Sequence, residues 1–206
     1  MRFILALLVL MAAPLAARAD TAILAGGCFW CVEANFESVP GVGDVISGYT
    51  GGMLDNPTYD DVKTESTGHY EAVQITFDPG RVSYAELIRL FLRSTDVIDA
   101  GGQFCDRGPS YRSAIFVKDD AQRQVATAEV AKAEADLGRK IVTPILPAAH
   151  FWKAEDYHQD YYKGTGWVLT RRGPKVQSSA YAFYRKACGR DARVRELWGT
   201  AAAFIH

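Results

Sequence analysis

Two cysteines three residues apart are the most reactive feature of this 206-residue sequence. They lie in the run Gly-Gly-Cys-Phe-Trp-Cys at 26–31, where a short apolar stretch ends and a helical pattern begins. At the start of a helix, free backbone N–H groups and the positive end of the helix dipole favour a thiolate. The two glycines also let a reacting group approach the backbone closely. The pattern predicts that Cys28 is a nucleophile whose pKa is lowered.

Cys31 lies one helical turn after Cys28, so both side chains share one face of the predicted helix. This spacing permits a disulfide after oxidation, and Cys-x-x-Cys generally indicates a dithiol redox couple. Two buried cysteines on an apolar helix are the alternative that involves no chemistry. A zinc site would need more ligands, and neither a second Cys-x-x-Cys nor a His pair occurs at metal spacing. We therefore expect no metal.

Side chains elsewhere in the sequence could assist such a nucleophile. Glu71 stands at the start of a predicted strand, and a carboxyl group among aromatic rings has a raised pKa and can donate a proton. Tyr59 and Tyr111 each offer a phenol that can donate a hydrogen bond. For both tyrosines, as for His69 and Asp106, a structural role is the alternative.

The first 19 residues have the layout of a secretory signal peptide. Arg2 supplies a positive start, residues 3–10 are all apolar, and Ala17-Arg18-Ala19 fits a small-x-small cleavage site. A membrane anchor is the alternative, but the apolar run is short for a span and Pro14 interrupts its end. We expect cleavage after Ala19 and export to the periplasm or the extracellular space, where disulfides persist.

Composition excludes several classes of protein. Hydrophobic residues make up 49% of the chain, which excludes a disordered protein. Four cysteines are too few for a disulfide-dense scaffold, and a net charge of −1 gives no basic patch for nucleic acid or anionic membranes. The length fits one ordinary domain.

The order of strand and helix patterns favours a single α+β domain, because it shows no strict βαβ repeat. Strands are predicted at 21–25, 42–50, 71–77, 111–118 and 140–146. Helices are predicted at 28–37, 83–93, 119–137 and 155–163, with Ser83-Tyr84-Ala85-Glu86 as a capping box. Residues 53–67, 99–109 and 164–180 lack a pattern, and 181–198 is a tail with helical stretches. We predict a catalytic domain over 20–170 and a C-terminal tail over 171–206.

A series of motifs carries a family resemblance over about residues 22–163. The motifs are Gly-Cys-Phe-Trp at 27–30 with Glu33, Gly-Tyr-Thr-Gly-Gly at 48–52, Asn-Pro-Thr-Tyr at 56–59, Thr-Gly-His-Tyr-Glu-Ala-Val at 67–73, Asp-Arg-Gly at 106–108, Tyr-Arg-Ser-Ala-Ile at 111–115 and Ala-Glu-Asp-Tyr-His-Gln at 154–159. In this order the set resembles peptide methionine sulfoxide reductase of type A. The resemblance implies a ferredoxin-like α+β fold, a two-layer sandwich with additional elements and an extended, loosely packed C-terminal tail.

The resemblance also implies the reaction and its catalytic residues. The S epimer of methionine sulfoxide, free or in protein, would be reduced to methionine. Cys28 matches the nucleophile of the family, and Glu71 matches the acid that protonates the sulfoxide oxygen. Tyr59 and Tyr111 match the phenols that hold this oxygen, and Asp106 matches a polar residue of the site.

The substrate-binding residues follow from the same resemblance. Phe29 and Trp30 match the apolar pocket that receives the S-methyl group. We place Gly27 and His69 with them as substrate-binding residues.

The thiol that resolves the resulting sulfenic acid on Cys28 stays open. Cys31 is nearest in sequence, but many relatives have Gly there and use cysteines of the tail. Cys188 is the tail candidate, with Gly189 as a flexible neighbour, although the usual pair of tail cysteines is absent. Cys105 is a weaker candidate than Cys188 or Cys31, which are about equal.

The partners implied are oxidised methionine in proteins or peptides and an external thioredoxin-like reductant or dithiol, with no bound cofactor. We expect no nucleic-acid partner, no membrane association after signal cleavage and a monomer. Two other functions are open at this point. One is a thioredoxin-type dithiol–disulfide oxidoreductase. The other is a binding module held by structural disulfides Cys28–Cys31 and Cys105–Cys188.

Overall fold

The computed structural model describes residues 19–205. The predicted signal peptide, residues 1–19, therefore lies outside the described residues except for Ala19. Within the part of the chain that is described, no helix has the length and apolar character needed to cross a membrane.

Helices and strands are mixed along the described part of the chain. The strands are β1 (Asp20–Gly26), β2 (Val42–Thr50), β3 (Tyr70–Phe77), β4 (Gly102–Gln103), β5 (Asp106–Arg107), β6 (Ser113–Val117), β7 (Ile145–Pro147), β8 (Trp152–Lys153), β9 (Trp167–Thr170) and β10 (Gly173–Val176). The α-helices are α1 (Phe29–Glu37), α2 (Tyr59–Val62), α3 (Tyr84–Leu92), α4 (Asp120–Leu137), α5 (Gln177–Ala187) and α6 (Arg190–Trp198). Short 3₁₀ turns occupy Pro109–Tyr111, Asp156–His158, Tyr161–Lys163 and Gly199–Ala201.

A mixed six-stranded sheet forms the centre of residues 19–205, in the order β7-β6-β1-β3-β2-β8. Neighbouring strands are antiparallel except β6 and β7, which are parallel. The register places Tyr49 of β2 opposite Glu71 of β3. The architecture is thus a mixed α/β domain with a central sheet, and Glu71 lies on one of its inner strands.

Alternate residues of the central strands face opposite sides of the sheet. Leu24, Val73 and Ile75 belong to the main core, which also contains the buried apolar residues of α1, α3 and α4. Ala25 and Ala72 belong to a smaller cluster on the other face. Both faces of the inner strands β1 and β3 are therefore covered behind the cysteine-bearing turn.

Helix caps agree with the sequence in part. The Asp119 carboxylate accepts a hydrogen bond from the Gln122 N–H at 2.8 Å and begins α4, which ends at Gly138 with φ 61°. Ser83 accepts from the Glu86 N–H at 3.1 Å. The predicted capping box is only half formed, because the Glu86 carboxylate pairs with Arg89 instead of returning to the N-cap.

The C-terminal part differs from the prediction. Residues 164–180 are not irregular, because they contain the hairpin β9–β10 and the start of α5. The tail is also firmly packed, since the buried guanidinium of Arg190 donates to the carbonyls of Gly26 at 3.0 Å and Ser94 at 3.1 Å. The expected loose tail is therefore wrong for α5 and α6, whereas the proposed division at residue 170 stays a prediction.

Candidate active site

Cys28 lies at the turn between β1 and α1, as the N-cap residue of the helix. It borders a small cavity of about 90 Å³. The cavity is lined by Cys28, Phe29, Trp30, Tyr59, Glu71, Asp106, Tyr111 and Tyr184. All but Tyr184 are residues that the sequence selected, so the fold brings together segments that are far apart in the chain.

Glu71 is the acid of this cavity. Its side chain is only 3% exposed, and its carboxylate accepts a hydrogen bond from the backbone N–H of Phe29 at 3.1 Å. Burial raises the pKa of Glu71 to about 8. Near pH 7 the carboxyl group is therefore mostly protonated and can give a proton to a bound oxygen atom.

Two phenols stand beside the acid. Tyr59 begins α2, where its backbone N–H donates to the Glu155 carboxylate at 2.8 Å, and its side chain lines the cavity together with that of Tyr111. Burial raises the pKa of Tyr59 to about 12 and also raises the pKa of Tyr111. Both hydroxyl groups thus stay protonated and can act as hydrogen-bond donors.

An aromatic wall closes one side of the cavity. The Trp30 ring stacks on Tyr161, with 3.7 Å between centroids and 3° between planes. The Trp30 Nε1–H donates to Nδ1 of His158 at 3.1 Å, and the imidazole packs against Phe29 with 4.9 Å between centroids. Burial lowers the pKa of His158 to about 4, so this ring supports the wall as a neutral group.

The two thiols of the Cys-x-x-Cys segment are free and lie in one buried cluster. Burial raises the pKa of Cys28, contrary to the lowering that the helix start predicts. The neighbouring Cys28 thiol lowers the pKa of Cys31 to about 6, and the positive charges of Arg190 and Arg185 assist. The lowered pKa of Cys31 favours a thiolate within this pair.

The other two cysteines form a disulfide, Cys105–Cys188, with 5.0 Å between their Cα atoms. Cys105 lies in the turn between β4 and β5 and is exposed, whereas Cys188 ends α5 and is half-buried. Both sulfur atoms and a carboxylate oxygen of Asp106 lie within 4.8 Å of one another. Since Asp106 also lines the cavity and accepts a hydrogen bond from Tyr184, the disulfide adjoins the edge of the site.

Comparison with known proteins identifies the family. The model of the family described as "Peptide methionine sulfoxide reductase" matches residues 20–191. This chain belongs to the peptide methionine sulfoxide reductase family. A relative in Rhizobium meliloti (strain 1021), peptide methionine sulfoxide reductase MsrA 2, is 52% identical over 91% of this chain and 87% of its own. The MsrA protein of Bacillus subtilis (strain 168) is 46% identical over 87% of this chain and 96% of its own.

Solved structures agree with this assignment. Methionine sulfoxide reductase A of Corynebacterium diphtheriae is similar with a TM-score of 0.63 and 32% identity, over 70% of this chain and 74% of that one. Reduced Mxr1 of Saccharomyces cerevisiae is similar with a TM-score of 0.68 and 28% identity, over 74% of this chain and 88% of that one. The chain therefore shares the fold of methionine sulfoxide reductases as well as their motifs.

Two residues that the sequence placed in the substrate site of this methionine sulfoxide reductase lie outside the cavity. Both ring nitrogens of His69 bind the backbone of a neighbouring loop. Nδ1 accepts a hydrogen bond from the Gly52 N–H at 3.2 Å, and Nε2 contacts the Leu54 carbonyl at 2.8 Å. Gly27 has φ 81°, and a Cβ atom there would lie 2.6 Å from Cβ of Gln103. Both residues thus shape the backbone around the site, and the assignment to substrate contact is not supported.

Sequence reasoning missed the residues that the tail contributes to the reductase site. Tyr184 lines the cavity, and Arg185 and Arg190 place two buried charges near Cys31. A Tyr and two Arg residues in an amphipathic tail give no signal of this, because their partners lie about 80 to 160 residues earlier in the chain. His158 occurs within a recognised motif, but its role as the acceptor for Trp30 became visible only in the fold.

Proposed function

We propose that this chain reduces the S epimer of methionine sulfoxide, free or within proteins, to methionine. The observation that carries the proposal is the convergence on one cavity of the Cys28 thiol, a protonated Glu71 and two phenol donors. The aromatic wall of Phe29 and Trp30 offers an apolar surface for the S-methyl group. The restriction to the S epimer rests on the resemblance of the sequence motifs to those of type A members of this family.

The chemistry follows from the positions of these groups. The Cys28 proton passes to the neighbouring Cys31 thiolate in the same buried cluster as the Cys28 sulfur attacks the sulfoxide sulfur. Glu71 gives its proton to the sulfoxide oxygen, and the hydroxyls of Tyr59 and Tyr111 stabilise this oxygen as it becomes more basic. The hydroxyl group then passes from the substrate sulfur to the Cys28 sulfur as the bond between the two sulfur atoms breaks, and methionine leaves as a thioether. The sulfoxide is reduced by two electrons and Cys28 is oxidised to a sulfenic acid.

Cys31 is the resolving residue that the geometry favours. It lies in one buried cluster with Cys28 in the reduced enzyme, whereas Cys105 and Cys188 are already joined to each other. Its sulfur attacks the sulfenic sulfur of Cys28, which forms the Cys28–Cys31 disulfide and releases one water molecule. Neither loop closure nor displacement of the tail is needed for this step.

The remaining assignments are also part of this proposal. The four strands in the order β6-β1-β3-β2, joined as β1-α1-β2-β3-α3-β6, support a ferredoxin-like core. The apolar run of residues 3–10 and the Ala17-Arg18-Ala19 site support export and cleavage after Ala19. We further infer a monomer that has no bound cofactor and that is recycled by an external thioredoxin-like dithiol protein.

A direct assay tests the reaction. The mature protein is incubated with dithiothreitol and each epimer of a methionine sulfoxide substrate in turn, and methionine is quantified. We expect turnover of the S epimer alone, and loss of turnover in Cys28→Ser with the fold retained by circular dichroism. Turnover of a protein disulfide in place of either epimer would contradict the proposal and favour a dithiol–disulfide oxidoreductase.

A further inference from the structure

We propose that Glu65 is a positioning residue of this enzyme: its carboxylate fixes the turn that carries Tyr111, so that this phenol meets the sulfoxide oxygen. The inference rests on the proposed function, in which the Tyr111 hydroxyl stabilises that oxygen. Glu65 is not among the residues that line the cavity of about 90 Å³ around Cys28. It acts on the reaction through the residues that it holds.

The backbone of Glu65 has a conformation that residues with a Cβ atom rarely adopt. Its φ is 63°, in the left-handed region, where glycine is the usual residue. A residue other than glycine persists in this region only where its surroundings hold it, and such residues are concentrated at functional sites. We therefore looked for the contacts that hold Glu65 in the contacts of its side chain.

Both carboxylate oxygens of Glu65 bind a single residue, Ser110. Oε2 accepts a hydrogen bond from the Ser110 backbone N–H at 2.8 Å, and Oε1 accepts one from the Ser110 hydroxyl at 2.8 Å. Ser110 is only 1% exposed, so a loss of the carboxylate would leave a buried N–H without this acceptor. The two bonds together fix the orientation of the Ser110 backbone as well as its position.

Gly108 provides the space that this carboxylate occupies. A Cβ atom at Gly108 would lie 2.7 Å from Cδ of Glu65 and 2.9 Å from each of its two carboxylate oxygens. Gly108 ends the Asp-Arg-Gly motif at 106–108, and its φ of 126° also requires glycine. The turn thus accepts the Glu65 carboxylate by its shape as well as by its hydrogen bonds.

The contact joins the two segments that carry the phenols of the cavity. Glu65 lies in the turn that directly follows α2, the helix that begins with Tyr59. Ser110 is the central residue of the 3₁₀ turn that ends at Tyr111, and the Tyr111 N–H closes this turn by donating to the Gly108 carbonyl at 3.1 Å. Glu65 therefore sets the position of the Tyr111 backbone relative to that of Tyr59.

A double-mutant cycle separates positioning from a general role in stability. Glu65→Gly removes both bonds to Ser110 but suits the left-handed backbone, and Tyr111→Phe removes the hydroxyl that is positioned. The rate of methionine formation is measured in a single turnover for both single variants, the double variant and the wild type. Each rate is taken at the pH optimum of its protein. This choice is needed because burial is the main cause of the raised pKa of Glu71, but the charge of Glu65 contributes to it.

The expected result is a loss that depends on the Tyr111 hydroxyl. Glu65→Gly should slow the wild type about tenfold, with little change in the substrate concentration that gives half the maximal rate. It should slow Tyr111→Phe by less than about twofold, because the group that it positions is already gone. Ser110→Ala removes only the hydroxyl donor and should slow the wild type by a smaller factor, again through Tyr111.

Two further variants serve as controls. Glu65→Gln should stay within about threefold of the wild-type rate, since its amide can accept from the Ser110 N–H and donate to the Ser110 hydroxyl. Glu134→Ala is the matched control and should keep the wild-type rate. Glu134 also accepts a hydrogen bond from a backbone N–H, that of Ile141 at 3.1 Å, but it does not line the cavity.

The outcomes distinguish the positioning role from the proposed function. A wild-type rate in Glu65→Gly, or equal slowing by Glu65→Gly in the wild type and in Tyr111→Phe, would overturn the positioning role. If Glu65→Gly loses the folded circular dichroism spectrum, Ser110→Ala takes its place in the cycle and the same two results decide. The absence of methionine from the wild type would refute the proposed function itself.

Discussion

Replacing Glu71 by Gln isolates the role of the buried acid. The amide is nearly isosteric, and its oxygen can still accept the hydrogen bond of 3.1 Å from the Phe29 N–H. It cannot give up a proton, however. Because general acid catalysis by a positioned side chain contributes about 10²–10⁴-fold, we expect the attack step to slow by a factor in this range.

The pH dependence gives a second, independent readout. With a pKa of about 8, Glu71 is protonated about ten to one at pH 7, and its active form is lost as the pH rises through about 8. With a pKa of about 6, Cys31 supplies the thiolate as the pH rises through about 6. The rate of methionine formation should thus be bell-shaped in the wild type, and Glu71→Gln should lack the descending limb.

Stability should shift with the same group. The pKa of Glu71 rises from an ordinary value of 4.5 to about 8 in the folded protein, so the folded state holds the proton more tightly than the unfolded state. Its contribution to stability is therefore lost as the pH rises from about 4.5 to about 8. At 1.36 kcal/mol per pKa unit, the free energy of unfolding of Glu71→Gln should rise by up to about 5 kcal/mol relative to that of the wild type over this interval. Urea unfolding at both ends of the interval measures the difference.

Quenched-flow measurement of methionine in a single turnover, from about pH 5 to about pH 10, is the assay for the kinetic part. Variant rates within about threefold of the wild type across this range would refute the role of Glu71 as the acid. The same conclusion would follow if Glu71→Gln kept the descending limb of the profile. A loss of activity together with a loss of the folded circular dichroism spectrum would show a structural role instead.

Three further predictions concern the neighbours of the site and the core. Tyr111→Phe should slow the attack step about ten- to a hundredfold, since it removes a hydrogen bond to a developing charge, and a wild-type rate would exclude this contact. Arg190→Met should raise the pKa of Cys31, measured as the pH dependence of thiolate absorbance, and an unchanged titration would show that its charge is not felt there. Leu87→Ala should lower the free energy of unfolding by about 2–5 kcal/mol because Leu87 is fully buried in the main core; a loss below about 1 kcal/mol in urea unfolding would contradict this packing.

The sheet strands that position the site could be read from the sequence because runs with β-branched and aromatic residues are bounded there by Gly and Pro. The prediction for 42–50 coincides with β2, and that for 71–77 lacks only Tyr70 of β3. The hairpin β9–β10 could not be read in this way. Its side chains, such as Trp167 and Leu169, are largely exposed, so it has no buried face to create a period-two pattern.

Most residues that line the cavity could be predicted from the sequence, but the pKa values of the two cysteines could not. The helix start predicts a lowered pKa for Cys28. Burial raises the pKa of Cys28 instead, and the neighbouring thiol lowers the pKa of Cys31. Burial depends on the tail, which covers the site from residue 177 onward with Tyr181 and Arg185. Contacts between the tail and residues far earlier in the chain leave no pattern in the local sequence. The capping residues and the spacing of apolar residues in a single helix do leave one.

Trapping the sulfenic acid on Cys28 is the most direct test of the reaction at this site. The variant Cys31→Ser/Cys105→Ser/Cys188→Ser keeps Cys28 as its single thiol, and it is mixed with the S epimer of methionine sulfoxide in the presence of dimedone. We predict one equivalent of methionine per chain and one dimedone adduct, mapped to Cys28 by mass spectrometry. Methionine formed without an adduct, or formed equally well by Cys28→Ser, would contradict Cys28 as the oxygen acceptor.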